Sequence, residues 1–188
     1  MTLEREIIAA LSKGKDTVGK LDMLSIYNDI RLLKRIACFL AEPFRGQVDC
    51  VTSPEATGWI LGTMVAAELD INFIGIRKGG KSPYTKERLI TQSYIDYSKT
   101  QKELELRNDA MSSKSKVLLV DCWIETGETI SACLALLGKV GCFTYGIATL
   151  NIEKLAPMQQ WINQEIRLEQ IGITITLPTS MKDANNEE

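Results

Sequence analysis

Apolar side chains recur along the chain with two periods, and each change of period marks the border of a predicted element. Helical spacing predicts helices over residues 2–12 and 28–42, and Pro43 and Gly46 end the second. Continuous apolar runs between turn residues predict buried strands that alternate with further helices. The strands are expected at 48–54, 71–78, 117–121 and 142–150, and the further helices at 58–70 and 129–141.

A different pattern lies between the second and third of these strands. Residues 79–93 are polar and lysine-rich without an apolar period, which predicts a functional loop. Residues 93–97 and 102–107 alternate apolar and polar side chains, as a hairpin half-exposed to solvent would. Near the end of the chain we expect a helix at 152–165, a strand at 171–177 and a solvated tail at 178–188.

The order of these elements predicts the fold class. Buried strands that alternate with amphipathic helices favour an α/β fold, with a mostly parallel central sheet, helices on both faces and an inserted flexible-loop hairpin. A chain of 188 residues fits one domain with a substantial core. We therefore expect residues 1–188 to form one domain, in which residues 1–45 are an N-terminal helical part.

Composition narrows the function classes without selecting one. Apolar residues make up 45% and charged residues 24%, and the net charge is −2. No run approaches the roughly 20 apolar residues that a membrane span requires. Neither nucleic acid nor a membrane is therefore an expected partner. The first residues lack the basic start and apolar core of a leader peptide, which favours a cytoplasmic protein.

Two residue types restrict the chemistry. Five cysteines without a CxxC pair argue against a disulfide scaffold or a zinc site. The chain has no histidine, which excludes Ser-His-Asp and Cys-His hydrolases and HExxH metalloenzymes. In an enzyme of this composition, proton transfer falls to Asp, Glu, Lys, Tyr or Cys.

Three stretches at predicted strand ends carry polar residues. Residues 121–129 leave a buried strand through an acid and enter a helix through hydroxyls and a glycine, which suits a phosphate. Residues 53–62 place a glycine at another strand end, and residues 76–83 surround a glycine pair with cations. Taken singly, each stretch has an ordinary alternative, namely helix capping or a solvated surface.

Together these stretches resemble the type I phosphoribosyltransferases, most closely the adenine-specific members. The family's phosphoribosyl-diphosphate motif is a buried strand, two acids, two apolar residues, a variable residue and Thr-Gly-Gly-Thr, and residues 117–129 are similar to it. Its Gly-Pro-Glu-Ala-Arg-Gly-Phe turn resembles residues 53–59, and its Ile-Arg-Lys-x-Gly-Lys-x-Pro stretch resembles residues 76–83. The hairpin residues 95–98 and 104–110 resemble the family's Leu-Glu-Tyr-Gly and the segments that follow it.

The resemblance implies an activity and a site. It implies transfer of a phosphoribosyl group from phosphoribosyl diphosphate to a purine base, most closely adenine in purine salvage, by a homodimer that uses Mg²⁺. The ion would be held mainly through the substrate, with Asp121 as the candidate protein ligand. The 5′-phosphate and ribose site would comprise Asp121, Cys122, Glu125, Thr126, Gly127, Glu128 and Thr129. The diphosphate site would comprise Glu55, Ala56, Thr57, Gly58, Arg77, Lys78 and Lys81.

Two carboxylates are candidates for the catalytic group that takes a proton from the base. Asp96 stands where adenine-specific members carry a loop glutamate, and Glu125 stands where 6-oxopurine enzymes carry an aspartate. The similarity of the hairpin to adenine enzymes favours Asp96. Glu125 keeps a 6-oxopurine enzyme open as an alternative.

Three residues depart from the family's pattern. Cys122 replaces the second acid, Thr57 replaces the arginine of the diphosphate turn, and Glu128 replaces a glycine. These differences keep another alternative open, a regulatory protein that binds a nucleotide or phosphoribosyl diphosphate without efficient turnover.

Overall fold

In the computed structural model, a seven-stranded sheet separates two hydrophobic clusters. The structure describes residues 2–11, 23–96, 99–153 and 166–170. Its helices are α1 Leu3–Leu11, α2 Leu24–Tyr27, α3 Ile30–Ala41, α4 Thr57–Leu69 and α5 Glu128–Val140. Its strands are β1 Cys50–Pro54, β2 Asn72–Lys78, β3 Leu89–Ile95, β4 Gln101–Arg107, β5 Lys116–Ile124, β6 Phe143–Ile152 and β7 Arg167–Gln170. Short 3-10 turns lie at Glu42–Phe44 and Lys86–Arg88.

The sheet has the strand order β3-β4-β2-β1-β5-β6-β7. Strands β2, β1, β5, β6 and β7 are parallel, whereas β3 and β4 form an antiparallel hairpin. The hairpin joins the edge of β2, where Arg77 pairs with Glu105. This topology confirms the predicted mostly parallel α/β sheet and its inserted hairpin.

Strand β5 shows why the pattern of a buried parallel strand is nearly continuous. Leu118, Val120 and Cys122 contribute to the cluster that α1 to α4 cover. Val117 and Leu119 point to the other face of the sheet and contribute to the cluster beneath α5 and the hairpin. Because successive side chains of a strand point to opposite faces, helices on both faces require apolar residues at every position.

The structure corrects the sequence predictions at β5, at the loop before β3 and at Glu105. Strand β5 continues through Ile124 instead of ending at Asp121. The predicted loop 79–93 was wrong at its end, because β3 begins at Leu89 and Ile90 packs against the cluster beneath α5. Glu105 was predicted on the exposed side of the hairpin but is buried, with 2% exposure.

Several predictions fall on residues that the structure does not describe. Most of the predicted helix 152–165, the strand 171–177 and the tail 178–188 lie outside the described residues. Among the described residues, none of the helices combines the length and the apolar character needed to cross a bilayer.

Candidate active site

The three polar stretches meet at one edge of the sheet. Strands β1, β2 and β5 are parallel neighbours, so their carboxyl ends lie at the same edge. Side chains join the turns: Glu55 accepts a hydrogen bond from the Lys78 N–H at 3.1 Å, and the Cys122 thiol lies 3.2 Å from the Thr57 carbonyl oxygen. The fold therefore brings together stretches that are more than twenty residues apart in the chain.

A small cavity forms where β5 enters α5. Gly127 precedes the helix with φ at 86°, a left-handed conformation that glycine adopts without steric cost. The first N–H groups of a helix have no partner within it, and Gly127 at the N-cap has no side chain to cap them. The helix start therefore offers backbone donors and a positive dipole end to an anion. The cavity has a volume of about 120 Å³ and is lined by Asp121, Trp123, Ile124, Glu125, Thr126, Gly127, Thr129 and Ile130.

This lining includes most of the predicted phosphate and ribose residues. Thr126, Gly127 and Thr129 come together as predicted, with Glu125 exposed at the same cavity. Cys122 and Glu128 do not belong to the lining. Glu128 instead has a buried carboxylate oxygen that finds no hydrogen-bond partner among the described residues.

Asp121 lies between the cavity and the start of α4. One of its carboxylate oxygens accepts a hydrogen bond from the Cys122 N–H at 2.8 Å. The same oxygen would lie 3.1 Å from a Cβ atom at Gly58, so only glycine fits there without displacement. Burial raises the pKa of Asp121 to about 7, although the Cys122 N–H opposes the shift. Ionisation of Asp121 therefore costs free energy, and its carboxyl lies next to both turns.

The turn between β1 and α4 presents backbone donors. The Glu55–Ala56 peptide is cis, and α4 begins at Thr57 without a side-chain cap. The uncapped first turn leaves N–H groups available to an anion, as at α5. Glu55 pairs with the Arg77 guanidinium at 3.5 Å, so its carboxylate holds the neighbouring turn and leaves anion contact to the backbone.

The basic turn after β2 is held by a buried carboxylate. Glu105 accepts hydrogen bonds from the N–H groups of Gly80 and Lys81, both at 2.8 Å, and from that of Ser82. Burial opposes ionisation, but these hydrogen bonds outweigh it and lower the pKa of Glu105. Sequence reasoning gave Glu105 no role in the site. The sequence feature that could have indicated its burial is its position between Leu104 and Leu106 in β4.

Trp59 and Arg77 form the wall between the two turns. The indole N–H of Trp59 donates to the carbonyl oxygens of Ser53 at 3.0 Å and Ile76 at 3.1 Å. The Arg77 guanidinium lies over the indole, 5.6 Å from the ring centre. This stacking and the Glu55 ion pair fix the direction of Arg77, whereas Lys78 and Lys81 are exposed.

The hairpin places Asp96 away from the cavity lining. Its carboxylate accepts a hydrogen bond from the Thr100 N–H at 3.2 Å and pairs with Lys102 at 3.8 Å. These contacts close the tip of the hairpin, whose residues 97 and 98 lie outside the described part of the chain. The structure therefore brings Glu125 to the cavity but does not bring Asp96 there.

The side chains of the described residues do not form a metal site by themselves. Within the part of the chain that the structure describes, no group of three or more His, Cys, Asp or Glu residues could hold a metal ion. Asp121 is the carboxylate placed between the two turns. One carboxylate plus substrate phosphates is a common arrangement for Mg²⁺, which retains several waters.

Comparisons with known proteins agree with the resemblance seen in the sequence motifs. Residues 23–183 match the family model described as the phosphoribosyl transferase domain. The chain is 36% identical over 121 residues to the adenine phosphoribosyltransferase of Beijerinckia indica subsp. indica, an alignment that covers 64% of this chain and 65% of that protein. It is 30% identical over 142 residues to the adenine phosphoribosyltransferase of Clostridium botulinum strain Loch Maree, with 75% and 80% covered. The chain thus spans just under two thirds of the first relative.

A solved structure shares the fold. The crystal structure of adenine phosphoribosyltransferase from Thermoanaerobacter pseudethanolicus superposes with a TM-score of 0.78 at 23% identity, covering 92% of this chain and 100% of that one. The family match over residues 23–183, the Clostridium alignment and this fold show that the chain belongs to the type I phosphoribosyltransferase family.

Proposed function

We propose that the protein transfers the phosphoribosyl group of phosphoribosyl diphosphate to adenine, giving AMP and diphosphate. The observation that supports this most is the close approach of the Asp121 carboxylate to Gly58, where an added Cβ atom would lie 3.1 Å from it. This approach joins a proposed phosphate cradle to a second proposed anion-binding turn. The two anionic ends of one substrate could occupy these turns, with its ribose at Asp121. The names of the Beijerinckia and Clostridium relatives favour adenine as the base.

In this proposal, the cradle at α5 binds the 5′-phosphate. The hydroxyls of Thr126 and Thr129 donate to phosphate oxygens, together with the uncapped N–H groups after Gly127. The helix dipole adds a favourable field for a dianion. Glu128 is not part of the cavity lining, so in this proposal its charge does not contact the phosphate.

The second anionic end lies at the turn between β1 and α4. Backbone N–H groups from Ala56 to Gly58 and the cations Arg77, Lys78 and Lys81 bind the diphosphate that departs. Because negative charge builds up on this group as the bond to ribose breaks, preformed donors stabilise the transition state more than the ground state. Glu55 and Glu105 orient the donors without contacting the ligand.

Asp121 would bind the ribose hydroxyls and provide a protein ligand for Mg²⁺. The ion, when bound with the substrate, would supply positive charge that offsets the negative charge of the diphosphate. Asp121 must be ionised for this role, and a cation next to it would lower its raised pKa. A carboxylate, Asp96 or Glu125, takes the proton that the base loses as its bond to C1 of ribose forms.

Two observations support the alternatives. Glu125 lines the cavity and Asp96 does not, which favours a 6-oxopurine base. Thr57 and Cys122 remove an expected arginine and an expected acid, which favours a binding protein with slow turnover. We retain adenine transfer as the leading function because the relatives carry that name.

We also propose that the protein is a homodimer and that it acts in the cytoplasm. An open groove of about 440 Å³ next to the basic turn exposes apolar and aromatic residues beside arginines, which is the composition of many protein interfaces. Its residues include Trp59, Phe73, Pro83, Tyr84 and Arg107. Sedimentation analysis of wild-type protein and of Tyr84→Glu tests this part, since a charge in the groove should favour the monomer.

One assay separates the three functions. Purified protein is given phosphoribosyl diphosphate, Mg²⁺ and either adenine, hypoxanthine, guanine or xanthine, and nucleotide formation is followed. We expect AMP to form fastest. Product only from a 6-oxopurine would replace the substrate. Absence of any product, with AMP still bound, would support the binding protein.

Two variants assign the proton acceptor. If Asp96 takes the proton, Asp96→Asn should lower kcat about 100-fold or more, since general base catalysis contributes at least that much. Glu125→Gln is then the matched control and should change kcat little. The reverse order of effects would assign the role to Glu125.

A further inference from the structure

Three polar groups form a partly buried triangle beneath the diphosphate turn. The Tyr27 hydroxyl lies 2.9 Å from the Cys122 sulfur, the sulfur lies 3.2 Å from the Thr57 carbonyl oxygen, and the hydroxyl lies 3.3 Å from the same oxygen. The three residues come from α2, β5 and the first turn of α4. The triangle therefore links the N-terminal helices to the proposed ribose strand and the proposed diphosphate turn.

Counting hydrogens shows what the triangle requires. The hydroxyl and the thiol supply one hydrogen each, and the carbonyl can only accept. Either the thiol donates to the carbonyl while Tyr27 donates to sulfur, or Tyr27 donates to the carbonyl while the thiol donates to Tyr27. Both arrangements use both hydrogens and leave the Thr57 carbonyl with a donor. A carboxylate at position 122 has no hydrogen to offer to that carbonyl.

The surroundings of Cys122 differ from those of a ribose-binding acid. Its side chain is 2% exposed and packs in the cluster that α1 to α4 cover, on the face of β5 opposite to Asp121. An ordinary thiol loses its proton only above about pH 8. At neutral pH the thiol therefore keeps its hydrogen for the triangle.

Fixing the Thr57 carbonyl also fixes a donor of the turn. The carbonyl of Thr57 and the N–H of Gly58 belong to one planar trans peptide and point in opposite directions. A carbonyl held by Cys122 and Tyr27 therefore directs the Gly58 N–H away from these two groups. A Cβ atom at Gly58 would lie 3.1 Å from an Asp121 carboxylate oxygen, so Gly58 lies where the two proposed subsites meet.

We infer that Cys122 and Tyr27 are positioning residues that hold the diphosphate turn through the Thr57 carbonyl and do not bind the ribose. This inference rests on the proposed function, in that it takes residues 55–58 as the diphosphate turn. It gives position 122 a role that the loss of an acid alone does not explain. It also predicts that restoring the acid will harm the site.

The test measures two partial ligands separately. Diphosphate with Mg²⁺ probes the turn, and ribose 5-phosphate probes the ribose and the cradle, each by titration calorimetry. Tyr27→Phe and Cys122→Ala should each weaken diphosphate binding about three- to ten-fold, the range expected for one neutral hydrogen bond. Both variants should leave the affinity for ribose 5-phosphate unchanged. Cys122→Ser should recover part of the lost affinity, because its hydroxyl donates to the same carbonyl.

Matched controls separate positioning from general destabilisation. Cys50→Ala removes a buried thiol at the start of β1, at the opposite end of the sheet, and Tyr145→Phe removes a hydroxyl that donates to Gln47. Neither should alter binding of either ligand. The midpoint of thermal unfolding is recorded for all variants, so that a change in stability is not mistaken for a change in affinity.

Three results would overturn the inference. One is a loss of affinity for ribose 5-phosphate in Cys122→Ala, which would place the thiol at the ribose. Another is tighter diphosphate binding or faster turnover in Cys122→Asp, which would identify Cys122 as a lost acid. The third is an unchanged diphosphate affinity in Tyr27→Phe, a variant conservative enough to fold. If the wild type binds diphosphate but makes no nucleotide, the proposed enzyme activity is wrong. The diphosphate affinities of the variants still test the role of Cys122 and Tyr27.

Discussion

Replacing Asp121 by asparagine removes a partly buried charge and retains its hydrogen bond. The asparagine side-chain oxygen can still accept from the Cys122 N–H, which lies 2.8 Å from the carboxylate. In the folded protein, burial raises the pKa of Asp121 from its ordinary 3.8 to about 7. The unfolded chain therefore loses this proton near pH 4, whereas the folded chain keeps it until about pH 7.

The sign of the effect follows from proton linkage. Between these two pKa values the folded state binds more protons than the unfolded state, so the free energy of unfolding falls as the pH rises. Above about pH 7 the loss is complete and stays constant. At about 1.36 kcal/mol per pKa unit, the wild type should lose on the order of 2–3 kcal/mol between pH 5 and pH 8 through this group. Asp121→Asn should not lose it.

Urea unfolding of the wild type and the variant at pH 5 and pH 8 measures this difference. Asp121→Asn should be the more stable protein at pH 8, by a margin that shrinks at pH 5. It should also bind phosphoribosyl diphosphate with Mg²⁺ more weakly, because the charge that destabilises the fold is the one the ligand uses. Asp70→Asn is the control, an exposed acid in a left-handed position that asparagine tolerates. Equal margins at the two pH values, or a less stable variant at pH 8, would refute the reasoning.

Two further predictions concern residues that shape the site from behind. Glu105→Gln should lower the free energy of unfolding by about 2–4 kcal/mol, since an amide replaces one acceptor oxygen with a donor facing the N–H groups of residues 80–82. Urea unfolding measures this loss, and the exposed Glu103→Gln is its control. Equal losses in the two variants would contradict the prediction. Gly75→Ala should cost about 1–3 kcal/mol, because the new Cβ would lie 2.6 Å from the Trp59 indole. In a Trp59→Leu background the same change should cost clearly less, and additive losses would contradict that contact.

Much of the fold could be predicted from the sequence because its determinants are local. The apolar runs of β1, β2, β5 and β6 identify strands, and helical spacing identifies α1 and α3. The segments between the strands identify α4 and α5. Parallel strands then require their carboxyl ends to share one edge. The meeting of the turns at 55–58, 79–82 and 125–127 follows from that rule together with the motifs.

The borders that were predicted wrongly depended on distant contacts. Leu89 and Ile90 were assigned to the loop because the polar residues before them dominate the local pattern, but packing beneath α5 makes them a strand. The sequence shows Cys122 as an irregular member of a motif. Its direction was decided by the continuation of β5 to Ile124, which places Asp121 and Cys122 on opposite faces.

The amino-acid sequence by itself determined the order of the elements, the sheet edge that carries the site and the family to which the motifs belong. Tertiary structure alone decided which acids are buried and which groups they contact. Glu105 receives its donors from residues 23 to 25 positions away, and Cys122 meets Tyr27 across 95 positions. A side chain's periodicity reports the face it occupies, but the polar partner it meets there depends on chain segments that only the folded protein brings into contact.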